Sequence, residues 1–151
     1  MPSVAAVNIS PKKGTTKVSV SKALLVADHG LQGDAHAGPG IRQVSLLGIE
    51  SIEKSKERAK DQKRARGLCE GVFAENITTR GIELFSLPLG TKMQIGQALL
   101  EVSKIGKECH AGCEVARIVG YCVMPHEGIF ARVLKGGEIK PGDKIEVLPS
   151  P

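Results

Sequence analysis

Short runs in which apolar and polar residues alternate, separated by glycine and proline, dominate this chain and predict strands throughout. Val4 to Ile9 and Lys17 to Val26 read as strands, the first stopping before Pro11 and the second before the loop DHGLQGDAHAGPG, with its four glycines and two histidines. Arg42 to Leu47 reads as a short strand feeding a helix that begins near Ile49 and runs through a basic segment, with Gly67 and Gly71 at its exit. The stretch from Gly71 to Gly90 reads as loop-rich, with one short strand or turn. Thr91 to Ile95, a turn at Gly96 and Gln97, and Ala98 to Ile105 form a predicted hairpin. Ile129 to Leu134 and Lys144 to Leu148 supply further strands, with a turn at Pro141 to Asp143. GTKMQIG from Gly90 and GGEIKPG from Gly136 share glycines six positions apart and suggest a reused strand-turn-strand device. Six to eight strands with one or two flanking helices point to a mainly β fold, a closed or nearly closed β-barrel.

Composition narrows the picture. At 151 residues the chain fits a single domain spanning residues 1–151. Aromatic residues make up only 3% and tryptophan is absent, so the core must be built from Val, Ile, Leu and Ala. The same scarcity argues against a stacking platform for single-stranded nucleic acid. The net charge of +5 is local: residues 54–66 hold seven Lys or Arg and two acids, which accounts for all of it. Glu53 with Lys56 and Glu57 with Lys60 have helical spacing there, as on a solvated helix face, so no nucleic-acid partner is expected. The N-terminus lacks the pattern of a signal peptide and no apolar run approaches a membrane span, so a soluble, cytoplasmic protein without a membrane partner is expected. In a reducing compartment, four cysteines are expected to be free, catalytic or metal-binding rather than paired.

Three of those cysteines and two of the four histidines fall between Lys104 and Asp143. Cys109 sits among Lys104, Lys107 and His110, and cationic neighbours favour the thiolate, the form in which sulfur acts as nucleophile or ligand. Such a thiolate either accepts sulfur as a persulfide or ligates a soft metal. A structural zinc site built from Cys109, His110, Cys113, Cys122 and His126 is the competing reading, although the spacing lacks paired C-x2-C knuckles. Cys69, with only Arg66 nearby in sequence, reads as an inert buried thiol. His36 either binds a ligand or ties its loop down, and Arg42 either snorkels to the surface or holds a phosphate or carboxylate in a polar cavity. Asn76 either closes a turn or faces a ligand.

Several blocks together resemble one family, the MOSC domain, named for the C-terminal domain of molybdenum cofactor sulfurases. They are GLQGDAHAG from Gly30, RQVSLL from Arg42, GVFAENITTRGI from Gly71, LPLGTKMQIG from Leu87, IGKECHAGC from Ile105 and GIFARVLKGGEIKPGDKIEV from Gly128. The chain is similar to the small stand-alone bacterial members, which implies a MOSC-type β-barrel. The resemblance also implies sulfur and molybdenum chemistry. The family's signature cysteine falls on Cys109, as sulfur-accepting thiol or molybdenum ligand, with Cys113 as a resolving partner. The implied cofactor is molybdopterin, held by Gly33, Asp34, Arg42, Asn76 and Arg132, with His36 or His110 assisting proton movement. Fused sulfurases carry a pyridoxal-phosphate desulfurase domain, for which this chain has no room. No pyridoxal phosphate is therefore expected on it: a separate cysteine desulfurase would donate sulfur, and a molybdoenzyme or cofactor-maturation protein would accept it. On this reading the protein is at most a sulfur-transfer protein, with a non-catalytic molybdopterin-binding module as the alternative.

Overall fold

Ala98, Leu100 and Val102 are buried while Leu99, Glu101 and Ser103 between them are half-exposed, the two-residue period of a strand with one face on a core. The same period recurs in Ile129, Ala131 and Val133. The computed structural model describes residues 2–10, 17–58, 75–106 and 127–149. Among them are eleven strands, β1 (Ser3–Ile9), β2 (Val18–Val20), β3 (Ala23–Val26), β4 (Gly30–Leu31), β5 (Val44–Gly48), β6 (Ile77–Arg80), β7 (Lys92–Ile95), β8 (Ala98–Ile105), β9 (Ile129–Lys135), β10 (Gly137–Ile139) and β11 (Ile145–Val147). One helix, α1 (Ile49–Arg58), and a 3-10 turn at Leu84–Ser86 complete the described elements.

Eight strands form one sheet in the order β11-β7-β8-β9-β5-β6-β1-β2, and β10-β3-β4 form a second. The large sheet curls until β11 meets β1. Val4 N–H donates to Asp143 O at 2.8 Å, Gly142 N–H to Val4 O at 2.8 Å, and Ile145 N–H to Pro2 O at 3.0 Å. The free edge of β1 is thus shared, its start meeting β11 and its end pairing with β2 through Val7 and Val20. The expected barrel-like, mainly β architecture is what the chain adopts.

Val4 and Val7 both enter the core although they are three residues apart. A bulge resolves this: β1 pairs Val4 with Thr79 and Ala6 with Thr78, so one extra residue resets the alternation. β5 is buried along its whole length and sits centrally, parallel to β6 and antiparallel to β9. Leu46, Ile77 and Val7 follow one another across these strands inside the core. Ile77→Val, which removes one buried methylene at that crossing, is expected to lower stability by about 1 kcal/mol. A lower urea midpoint with an unchanged m-value would show it.

α1 begins where β5 ends, carries Glu50 in its first turn, and packs against β5 and β6 with Ile52 fully buried. The predicted strand from Lys17 to Val26 is two strands in different sheets. A break at Ser21 and Lys22 lets Val18–Val20 pair with β1 while Ala23–Val26 pairs with β4 and β10. Alternation shows where a strand is amphipathic but not which partner it takes. The two glycine-bounded repeats also differ: β7 and β8 form the predicted hairpin, whereas β10 joins β3 and β11 joins β7. Of the basic segment, residues 59–66 lie outside the described residues. Lys54 within it forms an ion pair with Glu127 at 3.1 Å.

Candidate functional site

The segment between β3 and β5 is fastened by a buried polar residue just before β5. Gln43 is fully buried, and its Nε2 donates to Asp28 Oδ1 at 2.9 Å and Gly40 O at 3.0 Å. Its Oε1 accepts from Val133 N–H at 2.9 Å, so one side chain joins both ends of the loop to β9. Asp28 takes a left-handed backbone at φ 54°, and Gly30 follows at φ 122°, where a Cβ would lie 2.4 Å from Gln43 O. Gly38 N–H donates to His29 O at 2.7 Å, closing the loop on itself.

This loop delivers Asp34 to a buried ion pair. Lys17 Nζ lies 2.7 Å from Asp34 Oδ1, both side chains being almost wholly inaccessible. Ser10 N–H donates to the same oxygen at 3.0 Å, and His36 N–H donates to Asp34 Oδ2 at 3.1 Å. Lys17 Nζ also faces His36 Nδ1 at 3.0 Å and Ser10 Oγ at 3.4 Å. Burial alone would push the Asp34 carboxyl up. The Lys17 ammonium and the Ser10 N–H, with help from Asn76, outweigh burial and hold the carboxyl below its ordinary range. Asp34 is therefore an anion at neutral pH.

Next to it, buried polar side chains line the face of the sheet turned away from the Val7, Leu46 and Ile77 core. Register partners share a face, which places Ser19 beside Asn8 over β2 and β1, and Ser45, Phe130 and Lys104 in line over β5, β9 and β8, so the polar run stops at Ser45 and apolar Phe130 follows it. Asn76, just before β6, fills the gap between Asn8 and Ser45. Its Oδ1 accepts from Ser45 N–H at 3.0 Å and from Ser45 Oγ at 3.2 Å, and its Nδ2 donates to Asn8 O at 3.3 Å. Asn8 Nδ2 donates to Glu75 O at 3.1 Å and Thr78 Oγ1 at 3.0 Å, while Ser19 Oγ donates to Asn8 Oδ1 at 2.8 Å. Thr78 Oγ1 in turn donates to Glu75 Oε2 at 2.7 Å. A buried network of this kind fixes one arrangement of its members, because leaving any of them unpaired is costly.

Of the sequence-predicted residues, the fold brings together Asp34, His36 and Asn76. Gly33 is exposed at a left-handed turn beside Asp34. Arg42 and Arg132 are exposed, with Arg132 opposite Glu101 in the β8–β9 ladder, and neither has an ion-pair partner among the described residues. Cys69, Cys109, His110, Cys113, Cys122 and His126 lie outside the described residues. Lys17, Ser10, Asn8 and Ser45 are members that sequence reasoning missed. Each sits in or beside a strand run where a polar residue ordinarily faces solvent. Gln43, a polar residue at the entry to the predicted strand Arg42 to Leu47, was the one legible signal.

A separate cavity of about 260 Å³ lies between α1 and the turn at Leu84–Ser86 and shares no residue with this cluster. Its acids are engaged, Glu50 accepting from Gly81 N–H at 2.9 Å and Glu127 from Ser51 Oγ at 2.8 Å.

The described donors bear on a molybdopterin cofactor in a specific way. Among the described residues no group of three or more His, Cys, Asp or Glu is placed to hold a metal ion. Exposed guanidinium groups at Arg42 and Arg132 fit an anionic organic group such as a phosphate. The buried amides of Asn8 and Asn76 are committed to the protein itself.

A curled barrel-like sheet with a buried ammonium and carboxylate pair beneath a glycine-rich loop defines a β-barrel class of protein. The chain belongs to the MOSC domain family, whose model matches residues 32–146. Its fold is similar to that of the YuaD protein from Bacillus subtilis, with a TM-score of 0.78 at 20% identity over 97% of this chain and 96% of that one. YiiM from Geobacillus stearothermophilus is similar over 99% of this chain and 76% of its own, with a TM-score of 0.70 at 19% identity. YiiM from Escherichia coli is similar over 100% of this chain and 71% of its own, with a TM-score of 0.72 at 18% identity. Comparison with curated proteins gives no match.

Proposed function

We propose that this MOSC protein carries sulfur on Cys109 in molybdenum cofactor sulfuration or a related metal-sulfur assembly. Membership of the family supports the reading, and the observation that carries it is where the chain enters and leaves the sheet beside the buried polar network. The register line from Ser45 through Phe130 reaches β8 at Lys104, and the sequence between β8 and β9 is the segment bearing Cys109. The chemistry is an exchange. The Cys109 thiolate attacks the outer sulfur of a persulfide on a cysteine desulfurase, the donor's inner sulfur leaves as thiolate, and the proton stays on the transferred sulfur. The Cys113 thiolate would then attack the inner sulfur of the Cys109 persulfide, forming a Cys109–Cys113 disulfide and releasing hydrosulfide to a molybdoenzyme or cofactor-maturation protein, and an external dithiol would reduce the disulfide for the next cycle. Molybdenum cofactor, if bound, would supply the metal centre that receives sulfur, with Arg42 and Arg132 holding the pterin phosphate and Cys109 as thiolate ligand.

Protein incubated with a desulfurase and cysteine is expected to gain one sulfur atom on Cys109, read by mass spectrometry, with loading lost in Cys109→Ala. Loading that persists in Cys109→Ala overturns the carrier reading. The exposed guanidinium groups, without an ion-pair partner among the described residues, favour a second reading, a molybdopterin-binding module without covalent sulfur transfer. That reading predicts that Cys109→Ala still binds molybdopterin with modest loss, while Arg42→Ala and Arg132→Ala together abolish binding.

A further inference from the structure

We infer that the cavity between α1 and the turn at Leu84–Ser86 is a binding site for a small organic cation, a primary ammonium on a short apolar stem. The site goes beyond the sulfur-carrier reading and uses none of its residues. About 260 Å³ of space suits a molecule smaller than a drug. Ile82, Leu84 and Phe85 give the cavity apolar lining for a stem. Glu50, Glu83 and Glu127 set three carboxylates there against the ammonium of Lys54. Lys54 is already paired with Glu127 at 3.1 Å, so the charge left over in the lining is negative.

Two oxygen atoms mark where the charged end goes. Thr79 is fully buried, and its Oγ1 has no hydrogen-bond partner among the described residues, a state that buried hydroxyls rarely keep. Thr79 is the register partner of Gly48, which lines the cavity. A Cβ built on Gly48 would lie 3.8 Å from Thr79 Oγ1 and 3.1 Å from Glu50 Oε1. Glycine leaves that space open, so hydroxyl and carboxylate oxygen converge on one corner of the cavity. Glu50 is held by its other oxygen, Oε2 accepting from Gly81 N–H at 2.9 Å, and Oε1 has no partner among the described residues. An ammonium carries three N–H donors and no acceptor, which matches two oxygens waiting for protons. An anion is the usual guest at the first turn of a helix, but Glu50 already stands in that turn of α1. A metal ion fits no better: among the described residues no three His, Cys, Asp or Glu gather to hold one, so Glu50, Glu83 and Glu127 do not converge.

Titration of n-pentylammonium chloride into the uniformly labelled full chain at neutral pH, followed through amide nitrogen-proton spectra, tests the site. Saturable shifts are expected at the Gly48, Gly81 and Leu84 amides. Pentanoate should give none there, and n-pentanol, which keeps the stem without the charge, should bind about tenfold more weakly. Glu50→Gln should weaken pentylammonium by about tenfold. Thr79→Val should weaken it about threefold while leaving the urea midpoint of the free protein unchanged or higher, because the hydroxyl it removes has no partner to lose. A threonine with a purely structural role would instead lower that midpoint. The inference is overturned if pentylammonium gives no saturable shift at those amides of the wild-type protein, or if pentanoate or pentanol binds as well. Unchanged affinity in folded Glu50→Gln, or a lowered midpoint with unchanged affinity in Thr79→Val, overturns it too.

Discussion

Asp34→Asn is expected to lower stability by about 3–5 kcal/mol at neutral pH, because it strands the Lys17 ammonium in the interior without its anion. In the native protein that ammonium lies 2.7 Å from Asp34 Oδ1, with both side chains shielded from water. Removing one member of such a pair leaves a buried charge uncompensated, which costs far more than losing a surface ion pair. Urea midpoints of the single and double variants measure the coupling. Lys17→Met in the Asp34→Asn background should recover part of the loss, since the stranded charge then goes as well. Additive losses would show that the two groups do not interact energetically.

The same pair makes a signed prediction with pH. The folded protein holds the Asp34 carboxyl below the ordinary 3.8 of the unfolded chain. A depressed carboxyl contributes stability above the unfolded value and loses it as pH falls through the folded value. Wild-type protein should thus lose stability on acidification below about pH 4 more steeply than Asp34→Asn. The two curves should converge at low pH. Parallel curves over that range would mean that Asp34 is not bound more tightly as an anion in the fold.

Gly30→Ala is the second large effect, expected at about 3–5 kcal/mol. Two costs coincide at this position. Its φ of 122° is one that side chains rarely adopt, and a Cβ would lie 2.4 Å from the carbonyl oxygen of Gln43. That oxygen is backbone and belongs to the residue whose side chain ties the loop to β9, so it has little room to yield. Gly33 provides the control within the same loop. Its φ is 85°, but nothing lies within 4 Å of where its Cβ would stand, so Gly33→Ala should cost only about 1–2 kcal/mol from the backbone alone. Equal losses at the two positions would show that the contact with Gln43 does not constrain the loop. Because Gly30 seats the segment leading to Asp34, its alanine variant should also weaken the measured Lys17–Asp34 coupling, whereas the Gly33 variant should not.

Much of the architecture was legible in the chain. The β7–β8 hairpin, β1, β5, the start of α1 at Ile49 and the two C-terminal strands all carry local signals, alternation bounded by glycine or proline. β4 and β10 carry none, being two or three residues long and held by their partners. Lys17 to Val26 misled because its pattern is continuous while its hydrogen-bond partners change at Ser21 and Lys22. The glycine-rich loop announced Asp34 and His36 as candidates. Asn76 was ambiguous, and the structure turns its side chain into the bridge between Asn8 and Ser45.

By itself the sequence determined the class of fold, the family, and Cys109 as the candidate thiol, because local periodicity and short ordered motifs are properties of neighbours along the chain. Only the tertiary structure decided that Lys17 is buried, that it meets Asp34, and that its third partner is His36. Nothing near Lys17 in sequence distinguishes it from a lysine that snorkels to water. Its burial follows from the end of β1 and the loop before β5 meeting over the same spot, and the ammonium persists there because the Asp34 carboxylate, Ser10 Oγ and His36 Nδ1 converge on it.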